Sequence, residues 1–220
     1  MIFLEVIGKN VEDAIAINKT QASRIELCDK LEFGGYTPDY QTIKDVCEIS
    51  QIPVNVIVRH THKDFYSNPE EKAQILKDIE FIKTTKANGI VYGILNQDNT
   101  IDIEFLKQVI ALKGHLQITF HKAFDCVEDF VTEYKKLNDL NVDCVLTSGG
   151  NDIEKGFEIL ERLKNLNLNT KILIGGGVKL SNFDKCKTIS NYIHVGTAVR
   201  DNGTFEGQID LDKIEELTKK

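Results

Sequence analysis

Residues Arg24–Pro38 read RIELCDKLEFGGYTP. The first five alternate, placing Arg24, Glu26 and Cys28 on one side and Ile25 and Leu27 on the other, which is the period of a strand. Ile25 and Leu27 suit a packed layer. Glu26 does not, because a carboxylate on a buried strand must meet partners or water. Gly34–Gly35 predict a sharp bend, and Pro38 opens the next element. A strand that carries an acid near its end and breaks into a glycine turn marks the edge of a site.

The same layout recurs in both directions. Strands are predicted at Ile2–Ile7, Arg24–Cys28, Pro53–Arg59 (PVNVIVR), Gly89–Ile94, Leu116–His121, Cys144–Thr147, Lys171–Ile174 and Tyr192–Val195. Helices are predicted between them: Val11–Lys19 with Asn10 as its cap, Asp39–Ser50, Pro69–Lys86, Ile103–Lys113, Val127–Leu140, Ile153–Leu166 and Leu180–Ile189. Asp210–Lys219 forms a last helix after an irregular segment. Strand-then-helix repeated eight times predicts one α/β domain over residues 1–220, a closed (β/α)8 TIM-type barrel. A doubly wound open sheet is the alternative. Against it, no GxGxxG follows the first strand, and so many units crowd a small open sheet.

Composition narrows the function classes. A formal charge of -7 argues against a general nucleic-acid binder. No apolar run reaches membrane-spanning length, and the N-terminus does not read as a signal peptide. The five cysteines are odd in number, widely spaced and without a CxxC pair, which predicts a reduced, cytoplasmic protein. A homodimer is an open expectation.

Barrel active sites lie at the C-terminal strand ends. Reading those ends gives Glu5, Glu26 and Cys28, Arg59, then Gln117, Thr119 and His121 of one parity with Asp125 beyond, Thr147, and His194. Glu5, Glu26, Arg59, His121 and Asp125 are the candidate catalytic set. The competing reading is a structural ion-pair network of Glu5, Glu26 and Arg59 that plugs the barrel. Ser148–Gly149–Gly150 after the sixth strand, Gly176 and Gly177 after the seventh, and Gly196 after the eighth predict an anion or phosphate site with Arg59 as a second anchor. The same glycines would also serve tight turns. Lys122 follows His121 and should face the other way on a strand, so a Schiff base there is disfavoured. His60 and His62 form an HxH pair without an adjacent third ligand. Cys28 and Cys126 lie near strand ends and could hold copper(I) as thiolates.

The chain resembles the CutC family, named for copper homeostasis. The matching pieces are Leu4–Val6 (LEV), Arg24–Pro38, VIVR with Asp64–Ser67 (DFYS), Thr119–Asp125 (TFHKAFD), Leu146–Gly150 (LTSGG), GGGV and the IHVG region, in family order to about Arg200. The resemblance implies the barrel fold, a cytoplasmic copper-homeostasis protein, copper(I) binding as in some members, and Glu5, Glu26, Cys28, Arg59, Asp64, His121 and Asp125 as mouth residues. Two departures touch the ligand. The family's Arg-Pro-Arg-Gly-Gly-Asp-Phe is RHTHKDF here, and its arginine after the histidine is Lys122. On the residues alone the mouth, rich in carboxylate and histidine, reads as an enzyme's site. An isomerase or lyase acting on a small anionic or phosphorylated metabolite would suit it, with His121 as general acid/base.

Overall fold

Helices begin where a short polar side chain accepts a hydrogen bond from their free backbone N–H groups. Asn10 accepts from Asp13 N and Asp39 from Thr42 N, both at 2.9 Å. Asn68 accepts from Glu71 N while the Glu71 carboxylate accepts from Asn68 N, a reciprocal cap with Pro69 opening the helix. The structure, a computed structural model, describes residues 2–61 and 64–219.

Strands β1 (Phe3–Gly8), β2 (Arg24–Leu27), β3 (Val54–Ile57), β4 (Gly89–Tyr92), β5 (Gln117–Phe120), β6 (Cys144–Thr147), β7 (Lys171–Ile174) and β8 (Tyr192–Val195) pair in parallel in chain order, and β8 closes on β1. Helices α1 (Val11–Ile17), α2 (Tyr40–Ile49), α3 (Pro69–Ile82), α4 (Ile103–Leu112), α5 (Phe130–Asp139), α6 (Ile153–Asn165), α7 (Phe183–Ile189) and α8 (Leu211–Lys219) alternate with them. The (β/α)8 barrel is therefore the fold. No helix among the described residues is long and apolar enough to cross a membrane.

Several helices are shorter than expected: α1 ends at Ile17 and not at Lys19, and α7 begins at Phe183 and not at Leu180. α3 stops at Ile82, where the hydroxyls of Thr84 and Thr85 turn back onto the carbonyls of Phe81 and Ile82. The helix predicted over Val127–Leu140 begins only at Phe130, where Asp129 caps α5; the residues before it, Lys122–Cys126, form a short 3-10 turn capped by His121.

The alternation read from Arg24–Cys28 sorts side chains between two layers. Leu4, Val6, Ile25 and Leu27 join the main apolar cluster, which includes Ala14 and Ile17 of α1. Glu5, Arg24 and Glu26, of the other parity, are also buried. Ile7, Cys28, Ile57 and Val91 form a separate small cluster. Beyond β8 the chain is pinned by Arg200, fully buried, which meets Asp13 Oδ2 at 2.7 Å and donates to the carbonyls of Ile7 and Gly207. That segment carries Phe205 to the barrel mouth.

Candidate functional site at the barrel mouth

A cavity of about 410 Å³ opens at the C-terminal strand ends. Its apolar wall includes Ile7, Ile57, Phe65, Leu146 and Phe205, and its polar groups include Glu26, Cys28, Arg59, His121 and His194. Four of the residues expected at the mouth thus share one cavity with His194. Such a pocket, mostly apolar with a few convergent polar groups, is the usual form of a small-molecule site.

Beneath it runs a buried chain of charge. Strand register places Glu5 opposite Arg24 on β2 and opposite His194 on β8. Arg24 Nε lies 2.5 Å from Glu5 Oε2, and His194 Nδ1 lies 2.8 Å from Glu5 Oε1. His194 Nε2 is 3.6 Å from Glu26 Oε2. Burial alone would raise the Glu5 carboxyl, but Arg24 and His194 outweigh it and hold it at about 2. At Glu26 burial outweighs the attraction of His194 and pushes the carboxyl up to about 7. Burial also disfavours a charged His194, yet Glu26 and Glu5 win and hold its imidazole above the ordinary value. Since an ionised Glu5 accepts at Nδ1, the proton on that nitrogen is fixed and Nε2 faces Glu26. Protonation of Glu26 and of His194 is therefore linked, and both are raised above their ordinary values.

The expected plug of Glu5, Glu26 and Arg59 is half right. Glu5 does sit in a structural ion pair, but with Arg24, which the sequence placed on the correct face and at no particular depth. Arg59 is elsewhere. Its Nη1 donates to the carbonyls of Phe33 and Gly35 at 2.9 and 3.1 Å, so the Gly34–Gly35 turn is its clamp. Both glycines have positive φ, 84° and 94°, which lets the turn fold back over the guanidinium. Arg59 Nε is buried without a hydrogen-bond partner.

His121 is neutral. Burial and then the Arg59 charge lower it to about 3. Its Nδ1 accepts from Ala123 N at 3.1 Å, which leaves the ring proton on Nε2. That Nε2 is also buried without a partner.

Asp125 and the Ser148–Gly150 loop lie beside the cavity, not on it. The reason is that they satisfy each other. The Asp125 carboxylate accepts from the N–H and hydroxyl of Ser148, from Gly150 N, from Thr147 Oγ1 and from Lys122 Nζ. Gly149 N donates to Thr147 Oγ1. The Ser148 and Gly150 N–H groups expected to meet an external anion are thus held by an internal one. Gly176, Gly177 and Gly196 do line the cavity, and among the described residues no protein acceptor meets their N–H groups. Lys122 lines it too, contrary to the expectation that it faces away. β5 ends at Phe120, and the 3-10 turn re-aims the side chain.

Cys28 lines the cavity, but burial and then Glu26 push its thiol well above the ordinary range. Cys126 is exposed and does not line the cavity. Copper(I) is a soft ion that favours thiolate pairs. These two residues do not fit a two-thiolate site. Among the described residues, the group of three or more potential ligands whose donor atoms come within 4.8 Å of one another is Glu5, Glu26 and His194, which offers carboxylate and imidazole only. The HxH pair falls on His62, which lies outside the described residues. His60 itself turns away to a buried partner, Asp78, at 2.5 Å.

Residues 2–199 match the model of the CutC family. The chain belongs to the CutC family. A CutC family protein of Klebsiella pneumoniae (strain 342) is 36% identical over 183 residues, covering 83% of this chain and 74% of that one. One of Salmonella agona (strain SL483) is 33% identical over 197 residues, covering 89% and 77%. A solved structure from Streptococcus agalactiae, described as a candidate copper homeostasis protein CutC, superposes with a TM-score of 0.83 at 29% identity, covering 89% of this chain and 98% of that one.

Proposed function

We propose that this chain is an enzyme that moves a proton on a small anionic metabolite, of isomerase or lyase type, at the barrel mouth. The observation that carries the reading is the buried Glu26–His194 pair on the cavity wall, its nearest atoms 3.6 Å apart, with burial pushing the Glu26 carboxyl up to about 7. General acid–base catalysis works best with a group titrating near the working pH. Glu26 is the base, and His194, oriented by Glu5, is its partner. Arg24 keeps Glu5 ionised. His121 is a hydrogen-bond donor and not the acid/base, because its ring stays neutral and its tautomer is fixed. The free N–H groups of Gly176, Gly177 and Gly196, with Lys122 and Lys179 beside them, suit a phosphate or carboxylate.

The test is a panel of phosphorylated metabolites incubated with the protein in D2O and followed by NMR for C–H exchange or product. Turnover lost in Glu26→Gln and His194→Asn, with folding intact, supports the reading; turnover unchanged in Glu26→Gln sinks it.

The copper-homeostasis role borne by the Streptococcus relative's name is the second reading, favoured by the Cys28 thiol at the mouth. Titration with copper(I) against a competing chelator decides it. Stoichiometric binding that disappears in Cys28→Ser would make the mouth a copper site, and binding no stronger than the chelator's removes that role.

A further inference from the structure

Lys122 lines the cavity because two neighbours aim it there. Its Nζ donates to Asp125 Oδ2 and to Ser148 Oγ, each at 2.7 Å, and Ser148 Oγ lies 2.8 Å from the same carboxylate oxygen. The three atoms close a triangle, which fixes the place of the ammonium. The end of the side chain then runs across the turn after β7. A Cβ built on Gly176 would meet Lys122 Nζ, Cε and Cδ at 2.2, 2.9 and 3.0 Å. Gly176 and Gly177 have φ of +83° and +111°, are exposed, and line the cavity with N–H groups that meet no protein acceptor among the described residues. Gly175, one residue earlier, packs on His194 in the same way, since a Cβ there would lie 2.8 Å from His194 Cδ2. Lys122 and His194 therefore rest on consecutive residues, whose Cα atoms are about 3.8 Å apart.

An ammonium carries three N–H donors. Asp125 and Ser148, both buried, hold two of them, whereas 38% of the Lys122 side chain is exposed, which leaves the third for the cavity. We propose that Lys122 is the specificity-determining residue of the mouth: its third N–H binds the compact oxyanion of the substrate, a phosphate or a carboxylate, beside the N–H groups of Gly176 and Gly177. This rests on the acid–base reading above and deepens it. Asp125 and the Ser148–Gly150 loop then serve the ligand without touching it, because they aim the lysine. The ion pair with Asp125 also sets what the lysine is worth. With Lys122 in place the two charges offset each other and the anion meets a directed donor. With Lys122 removed, the Asp125 carboxylate is left uncompensated and repels the anion. Since His194 rests on the neighbouring glycine, the anion lies within a few bonds of the carbon that exchanges its proton, which makes the substrate a small acid or phosphate ester.

The experiment titrates the intact protein with inorganic phosphate and, separately, with acetate, followed by NMR of ¹³C-labelled lysine, in which the Lys122 Cε signal reports on its ammonium. The expected result is that at least one anion binds and shifts that signal, and the tighter of the two tells phosphate from carboxylate. Lys122→Met should weaken that binding roughly tenfold or more, as loss of a charged hydrogen bond does. Lys122→Arg, which keeps the charge, should retain part of it. Gly176→Ala, which puts a Cβ where Nζ sits, should weaken it too. Lys135→Met, which removes an exposed charge on α5, should leave it unchanged. The wild-type shift decides the point even where a variant fails to fold. Binding that leaves the Lys122 signal unmoved, or that survives Lys122→Met, overturns the assignment and leaves the acid–base reading of Glu26 and His194 in place. Failure of both anions to bind overturns the assignment as well, and turnover of Glu26→Gln judges the acid–base reading separately.

Discussion

His194 Nδ1 meets Glu5 Oε1 at 2.8 Å where β8 closes on β1, so a side-chain hydrogen bond is added to the β1–β8 ladder and orients the imidazole toward Glu26. Because Glu5 is ionised against Arg24, it accepts at Nδ1 and never donates. The other nitrogen is the one that answers to the cavity.

The first consequence is a pH dependence of stability. Glu26 is raised from 4.5 to about 7, and His194 is raised above 6.5. Folded protein therefore holds both protons more tightly than unfolded protein. For Glu26 the contribution is whole below its ordinary value and is lost as pH rises through its folded one. Glu26→Gln removes that loss. Relative to the wild type, the variant should gain on the order of 2 kcal/mol between about pH 5 and about pH 8. Urea unfolding at the two pH values measures it, and a gap that stays constant with pH would contradict the assignment.

Arg24 and Glu5 predict the opposite trend. Glu5 is lowered from 4.5 to about 2, so its support is complete above 4.5 and fades as pH falls toward 2. Removing one member of a buried ion pair strands the other, a loss of roughly 3–5 kcal/mol. Arg24→Met should cost that much at neutral pH, and Arg24→Met combined with Glu5→Gln should recover most of it. Denaturant melts of the wild type and the two variants decide the point. A double variant no better than the single one would mean that packing, not charge, is what Arg24 supplies.

The strands were legible because each apolar run is short, β-branched and closed by glycine or a polar turn, as in PVNVIVR and KILIGGG. Parity within RIELC also told which side of each strand faces the barrel interior. Depth was not legible. Arg24, Glu26 and Cys28 share a face, but Arg24 meets Glu5 below the mouth while Glu26 and Cys28 line it. Which residues share a level depends on the stagger between neighbouring strands, and no sequence period encodes that. His194 stood at a strand end in plain view, yet its importance appears only when Glu5 and Glu26 close on either side of it. Asp125 was misplaced for a related reason. Its partners come from β6 and the loop beyond, a neighbour in space some 22 to 25 residues away in the chain.

Asp125 is accordingly a positioning residue. It gathers five donor groups from Thr147, Ser148, Gly150 and Lys122. Asp125→Ala leaves them without their acceptor and should lower stability by about 3 kcal/mol. Asp125→Asn keeps acceptor capacity and should cost less. Thermal melts and D2O exchange assays together separate this role from catalysis. Glu26→Gln is expected to lose exchange and keep its fold, and Asp125→Ala is expected to lose stability first. A stably folded Asp125→Ala protein with abolished turnover would restore Asp125 to the chemistry.

The loop that Asp125 holds is also fixed from the other side by a contact between two glycines. Gly149 adopts φ of +74°, and a Cβ on it would come within 2.3 Å of the Gly156 carbonyl oxygen. A Cβ on Gly156 would lie 1.9 Å from the Ser148 carbonyl oxygen. Both obstacles are backbone, so neither can rotate away, and α6 or the loop must shift as a whole. Overpacking of this kind costs typically about 1–3 kcal/mol, and a backbone obstacle puts Gly156→Ala at the upper end. The shift would also pull Ser148 from Asp125 and release Lys122, which reaches the cavity through that network. Gly156→Ala should therefore lower the melting temperature and move the Ser148 amide resonance, while Glu158→Ala on the exposed face of the same helix should change stability by no more than about 0.5 kcal/mol. Equal melting temperatures for the two variants would show that the loop and helix have room that this packing denies them.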